Sequence, residues 1–344
     1  MTSPAHKRIY MVGVYSLAHF IVDFACAFLV FRSILGTRDG LVGVLLYNFF
    51  AFAFRLPLGV LADKCNRNYL FAAIGCALIA MAFAFLYVPV VAAVIAGVGS
   101  SMYHVGGGND ILNISKRSCS YLGAFLPPGA FGIFFGGMLG GLTFFPKLPI
   151  VIVLIAASLA TFFMPKVQGK NYAQSADFSL RPEKSRGIIF VVTGLFLAAG
   201  LRSYVNLTMG FPWEGTGSWA VFLVCATALG KVIGAVVSDK LGVEKVAIFS
   251  LCVSALLFVF SGTALPGLLA VVLFNFTMPI TIWLLAKVFP GAEGFSFGLF
   301  SFATFLGLLF VYFGVTLPPY TDLVLALITI LLLPLLLPAT RRAI

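Results

Sequence analysis

Four ionisable side chains interrupt long apolar stretches of this 344-residue chain: Asp23, Arg55, Arg202 and Lys231. A charge held at bilayer depth costs at least about 2.5 kcal/mol, so each is a candidate for binding or for proton transfer. His19 precedes Asp23 by one helical turn, which puts both on one helix face. A histidine beside a carboxylate can titrate near neutral pH and relay protons. Arg55 and Lys231 each stand eight residues before an aspartate, Asp63 and Asp239. That is about 12 Å of helix, so the two cations share one depth and suit a single anion. Asp23 and Arg202 also share a depth. They suit an ion pair that latches two helices, a static packing pair, or a substrate contact through Arg202.

The elements that must carry these charges are membrane helices. The chain is 61% hydrophobic and 10% charged, against about 25% charged in a soluble domain. The deficit excludes disorder, a nucleic-acid module and an ordinary soluble enzyme. A bilayer core takes roughly 20 apolar residues per helix. Such runs predict twelve spans, near 9–31, 41–62, 69–87, 89–107, 119–142, 148–164, 187–209, 217–238, 243–261, 265–288, 291–314 and 320–338. The basic stretch 165–186 reads as a cytoplasmic linker between six-span halves, 1–164 and 187–344. With both termini inside, 16 of the 22 cations face the cytoplasm. Only Arg32, Arg38 and Lys147 face outward, and the remaining three lie within spans. That asymmetry predicts the orientation and explains the net charge of +11 without nucleic acid. The six cysteines form no C-x-x-C pair and mostly sit in apolar runs, so neither disulfides nor a metal centre is expected, nor any cofactor.

An internal repeat ties the halves together. Span two ends Arg55-Leu-Pro-Leu-Gly59-Val-Leu-Ala-Asp63-Lys64-Cys65-Asn66-Arg67, and span eight ends Lys231-Val-Ile-Gly234-Ala-Val-Val-Ser-Asp239-Lys240-Leu-Gly242. An offset of 176 aligns Asp63 with Asp239 and Arg55 with Lys231. Both segments resemble the cytoplasmic signature of the major facilitator superfamily, G-x-L-x-D-[RK]-x-G-[RK]-[RK]. The first copy has Cys65-Asn66 where glycine is usual, and the second lacks the final basic pair. Within the superfamily, His19-Phe-Ile-Val-Asp23 and Gly97-Val-Gly-Ser-Ser-Met-Tyr-His104 resemble the fosmidomycin-resistance branch. The resemblance implies an all-α fold of twelve transmembrane helices in two pseudo-symmetric halves. It also implies a conformational role for Gly59, Asp63, Lys64, Arg67, Gly234, Asp239 and Lys240.

Further polar candidates on the spans expected to line a cavity are Tyr103, Asn206, Asn275 and Trp283. Asn48, seven residues before Arg55, is expected on the same face and able to share its ligand. His104 is placed near the inner end of span four as a third proton-coupling or gating candidate. Gly106-Gly107-Gly108 is expected to break or bend that helix, leaving Asn109, Asp110 and Asn113 as loop or cap residues. Gly132, Gly136 and Gly140 form a close-packing stripe. The expected protein is a monomeric, multi-pass transporter of a bacterial inner membrane, not an enzyme, since no HExxH and no paired intramembrane carboxylates occur. Its expected partners are a small anionic substrate, protons and lipid. The rival is a proton-driven exporter of drugs or other amphipathic compounds with Asp23 as cation acceptor, disfavoured by an excess of membrane cations over acids.

Overall fold

A computed structural model describes residues 4–142, 144–164, 187–215, 218–317 and 322–341. The predicted linker 165–186 lies outside the described residues, apart from which helices follow one another through short connections. Among the described residues there is no strand. Ten helices are long and apolar enough to cross a membrane. They are α1 (Ala5–Ile34), α2 (Gly40–Cys65), α3 (Asn68–Phe85), α4 (Pro89–Ile114), α5 (Ser120–Gly140), α7 (Ile188–Thr208), α8 (Trp219–Leu241), α10 (Ala264–Val288), α11 (Glu293–Tyr312) and α12 (Asp322–Thr340). Two shorter helices, α6 (Leu148–Phe162, 15 residues) and α9 (Val243–Phe258, 16 residues), occupy the places of predicted spans six and nine. At 1.5 Å per residue each covers about 24 Å or less, below the roughly 30 Å of a hydrocarbon core.

The packing forms two compact units. One takes the described residues of Met1–Ile114, Pro128–Leu180 and Gly291–Phe302; the other takes those of Ser115–Pro127, Arg181–Pro290 and Ala303–Ile344. The unit boundary therefore falls inside α5 and inside α11, after Pro127 and after Phe302.

Lipid tails are as apolar as leucine, so helices in a bilayer associate through close van der Waals contact at small residues. In the first unit, Gly132, Gly136 and Gly140 of α5 lie against the carbonyls of Phe20, Phe24 and Phe28 on α1. An added Cβ would come within 2.2–2.8 Å of those oxygens. In the second unit, Gly230 and Gly234 of α8 do the same against Val272 and Phe276 of α10. The glycine stripe expected of span five is thus matched by one on α8.

The repeated motif ends both helices at a residue of positive φ. Asn66 closes α2 with φ 49°, and Gly242, 176 residues later, follows α8 with φ 90°. Glycine takes positive φ without strain, and asparagine is among the few side-chain residues that tolerate it, so Asn66 fits the place where the signature has glycine.

Candidate functional site

In the first unit, α1 and α4 bring three titratable side chains to one point. His19 Nε2 is 3.2 Å from Asp23 Oδ2, and His104 Nε2 is 3.4 Å from Asp23 Oδ1. The two imidazole Nε2 atoms are 3.1 Å apart. Both histidines are buried and Asp23 is 12% exposed. His104 Nδ1 lies 2.8 Å from the Ser100 carbonyl, which can only accept, so Nδ1 carries a proton and the neutral ring presents a bare Nε2 lone pair to Asp23 and His19. His104 Nε2 and Asp23 Oδ1, 3.4 Å apart, thus face each other as two acceptors, an arrangement that calls for a proton or a cation between them. Tyr103 closes the floor. Its ring is 6.3 Å from that of His19, and its hydroxyl donates to the Tyr15 carbonyl. Gly129 of α5 forms the wall: a Cβ there would meet His19 Nε2 at 2.4 Å and Asp23 Oδ2 at 2.5 Å. The helical pairing of His19 with Asp23 is as expected. His104 is placed otherwise than the sequence suggested, because α4 runs on to Ile114 and leaves it well inside the helix.

The triple glycine explains that length. It does not break α4. Instead Gly106 admits the carbonyl of Asn68 and the backbone of Ala72, and Gly108 admits the ring of Phe297, all closer than any Cβ would allow. Consequently Asn109, Asp110 and Asn113 are buried helix residues and not loop or cap residues. Tyr15 Oη donates to Asp110 Oδ2 at 2.7 Å and Asn68 Nδ2 to Asp110 Oδ1 at 2.7 Å. Asn109 Nδ2 bridges Asn68 Oδ1 and Asp63 Oδ1, both at 3.1 Å. Asp110 adds a second acid inside the span, so the excess of membrane cations over acids is smaller than the sequence suggested. Its signal was present: Tyr103, Gly107 and Asp110 recur at i, i+4 and i+7 on one face, and Gly107 packs against Tyr15 and Tyr103.

Arg55 sits beside the histidine cluster. Its guanidinium makes only long contacts, Nη2 to Ser100 Oγ and Nη1 to Ser301 Oγ, each 3.5 Å, and stacks 4.7 Å over the Phe52 ring. Its Nε has no acceptor, and no carboxylate lies within ion-pair distance of it among the described residues. A buried charge without a counter-charge is costly, so the site is suited to an incoming anion. Asn48 does not share this face. A π-helical turn, Phe49–Ala53, closed by Phe54 N–H donating to the Phe49 carbonyl, inserts one residue between them. That extra residue rotates the register by about 100°, and the Asn48 amide donates to Val44 instead.

The second unit holds the remaining candidates. Arg202 is 2% exposed and donates through Nη1 to the Phe274 carbonyl at 2.6 Å and to Thr277 Oγ1 at 2.5 Å. Its Nη2 has no partner, and among the described residues no carboxylate neutralises it. Within its own unit, Asp23 is paired with the two histidines. Lys231 is buried in α8. Asn275 and Asn206 each leave a side-chain oxygen without a donor, which suits ligand contact. Trp283 does not: its indole N–H donates to the Ser115 carbonyl at 2.8 Å and its ring carries Lys287 at 4.7 Å, so it ties α10 to the connection that leads into α5.

Each motif aspartate caps the start of a helix. Asp63 accepts from the N–H groups of Gly294 and Phe295 at the start of α11, both at 2.8 Å. Asp239 accepts from Ser118 Oγ at 2.6 Å and from the N–H groups of Cys119 and Ser120 at 2.7 and 2.9 Å, at the start of α5. Cys119 and Phe295 are related by the offset of 176 that relates the two aspartates, while the N–H pairs they belong to, 119/120 and 294/295, differ in register by one residue. Carboxylates at helix N-termini satisfy unpaired N–H groups and the helix dipole. Lys64, Arg67 and Lys240 are exposed beside them, and Gly59 lets the α11 backbone approach. Asp63→Ala and Asp239→Ala should each lower stability by about 0.5–2 kcal/mol, Asp63→Ala by the more because its carboxylate is buried and that of Asp239 is exposed. Thermal unfolding of the purified variants in detergent checks this; a wild-type melt in either would remove its capping role.

Gly294-Phe295-Ser296-Phe297-Gly298 spells G-x-S-x-G, correcting an expectation that this motif is absent. It lies within α11, Ser296 Oγ donates to the Ala292 carbonyl, and no strand precedes it, so it is not a nucleophile elbow. Its glycines serve contact instead: Gly294 meets the Gly59 carbonyl and Gly298 that of Arg55.

No family model and no curated protein matches the chain. Solved structures do. The E. coli fucose:proton symporter FucP aligns over 100% of both chains at 15% identity with a TM-score of 0.68. The human organic anion transporter MFSD10 aligns over 96% of this chain and 99% of its own at 13% identity, TM-score 0.70. A bacterial homologue of the iron transporter ferroportin aligns over 98% of this chain and 99% of its own at 14% identity, TM-score 0.63. The chain therefore has the fold of major facilitator superfamily transporters.

Proposed function

We propose that this protein is a proton-coupled secondary transporter of a small organic or inorganic anion, working by alternating access. The observation that carries the reading is Arg55: a buried guanidinium with no ion-pair partner among the described residues, near a carboxylate already held between two imidazoles. The anion supplies the direct partner that this guanidinium lacks, and the Asp23 cluster takes the proton. By the offset of 176, Lys231 is the counterpart of Arg55 in the second six-span half, and both cations serve the anion. Arg202, with Asn206 and Asn275, is a further contact. The names of two neighbours, a proton symporter and an organic anion transporter, agree with the reading.

Thermal-shift screening of purified protein against small anions identifies the ligand, because a ligand stabilises the state it binds. Flux in proteoliposomes under an imposed pH gradient then tests transport. A ligand that binds but never crosses would leave a receptor on a transporter fold.

The same reading places twelve spans in an inner membrane, α6 and α9 crossing in spite of their length, with both termini and 165–186 in the cytoplasm. Single cysteines at positions 145 and 175 should label from opposite sides of the membrane. Labelling of both from one side would sink the twelve-span topology.

A further inference from the structure

We infer that His19, Asp23 and His104 form a binding site for a divalent first-row transition-metal ion. The inference stands on this cluster's geometry alone and does not depend on the transported substrate. Zinc-type ions sit about 2.0–2.2 Å from imidazole nitrogen and carboxylate oxygen. Ligand atoms at that radius are roughly 2.9–3.5 Å from one another around a tetrahedral or octahedral centre. The two Nε2 atoms are 3.1 Å apart, and each carboxylate oxygen meets one of them at such a distance, Oδ2 at 3.2 Å from His19 and Oδ1 at 3.4 Å from His104, so both oxygens face the ion. One ligand atom from each of the three residues lies within 4.8 Å of the others.

The support around the ligands is that of a metal site. Metal-bound histidines usually donate their other ring N–H to a carbonyl or carboxylate, which fixes the tautomer. His104 does so through Nδ1 to the Ser100 carbonyl at 2.8 Å. The wall opposite has no side chain, because a Cβ at Gly129 would stand 2.4 Å from His19 Nε2 and 2.5 Å from Asp23 Oδ2. Two imidazoles and one carboxylate select ions such as zinc, cobalt or iron over magnesium and calcium, which prefer all-oxygen shells. Arg55 is the one cation beside the cluster, held off by the Ser100 hydroxyl on which it donates. Metal and proton would compete for the same lone pairs.

The test uses full-length protein in detergent, dialysed against cobalt or zinc, with bound metal measured by elemental analysis. One ion per chain is expected. His104→Gln and Asp23→Asn should each lower affinity at least about 100-fold, more than loss of an outer-shell partner costs. Cys65→Ser and Cys252→Ser, which change exposed thiols, should bind as wild type. Magnesium should not compete. The cobalt absorption spectrum of the wild type gives a readout independent of variant folding: nitrogen and oxygen ligation is expected, and a thiolate-to-cobalt charge-transfer band would overturn the assignment. So would the absence of bound metal, or wild-type affinity in folded His104→Gln and Asp23→Asn. Because binding is read without flux, its failure leaves the transport reading standing, and a failed flux assay leaves this site standing.

Discussion

Arg55→Gln weakens binding of the anion identified by thermal shift about 10- to 150-fold, the value of a charged hydrogen bond of roughly 1.5–3 kcal/mol in a dry site. The guanidinium is 6% exposed and has no ion-pair partner among the described residues, so the substitution removes a buried charge that no salt bridge holds. Folding should therefore be unharmed or improved, since a buried unpaired charge is lost. Affinity and melting temperature should move in opposite directions, which a purely structural arginine would not produce. Arg55→Lys should also be harmful, because an ammonium cannot hold an oxyanion bidentately. Lys231→Gln should weaken the same anion by a comparable factor, and Lys231→Arg should be tolerated. If both glutamine variants fold and bind the anion with wild-type affinity, the anion site is not at these cations and must be sought near Arg202.

Asp23→Asn abolishes accumulation driven by a pH gradient while leaving substrate exchange largely intact. Exchange needs no net deprotonation, whereas accumulation needs the cluster to release a proton on each cycle. The site can accept the amide locally. Asn is of nearly the same size, and its N–H can donate to the His104 Nε2 lone pair that now faces a carboxylate oxygen at 3.4 Å. The variant therefore isolates the proton from the packing. Transport assayed with and without the gradient, in parallel with counterflow of labelled substrate, reads the two quantities separately. PH-driven accumulation at wild-type level would remove Asp23 from coupling and leave the histidines as the acceptors.

Much of this was legible in the residues because it depends on local periodicity. Apolar runs placed the helices, and the i, i+4 spacing joined His19 to Asp23. The offset of 176 announced two equivalent motifs, and it reappears in the helix caps of Asp63 and Asp239 and in the positive φ at Asn66 and Gly242. Burial of Arg55, Arg202 and Lys231 also followed from their places in apolar runs.

Other features required the tertiary structure. Three successive glycines read equally as a helix break or as a close-packing surface. Only the neighbours of Gly106 and Gly108 decide for packing, and with that decision Asp110 moves from a loop into a buried network. One π-helical turn, invisible in composition, cancels the heptad argument that put Asn48 with Arg55. The meeting of His104 with His19, 85 residues away, depends on the crossing of α1 and α4 and on a glycine at position 129 that leaves the cluster open. Periodicity along one helix is a property of the chain. Which faces meet across two helices is set by close packing among all of them, and no single stretch of sequence contains it.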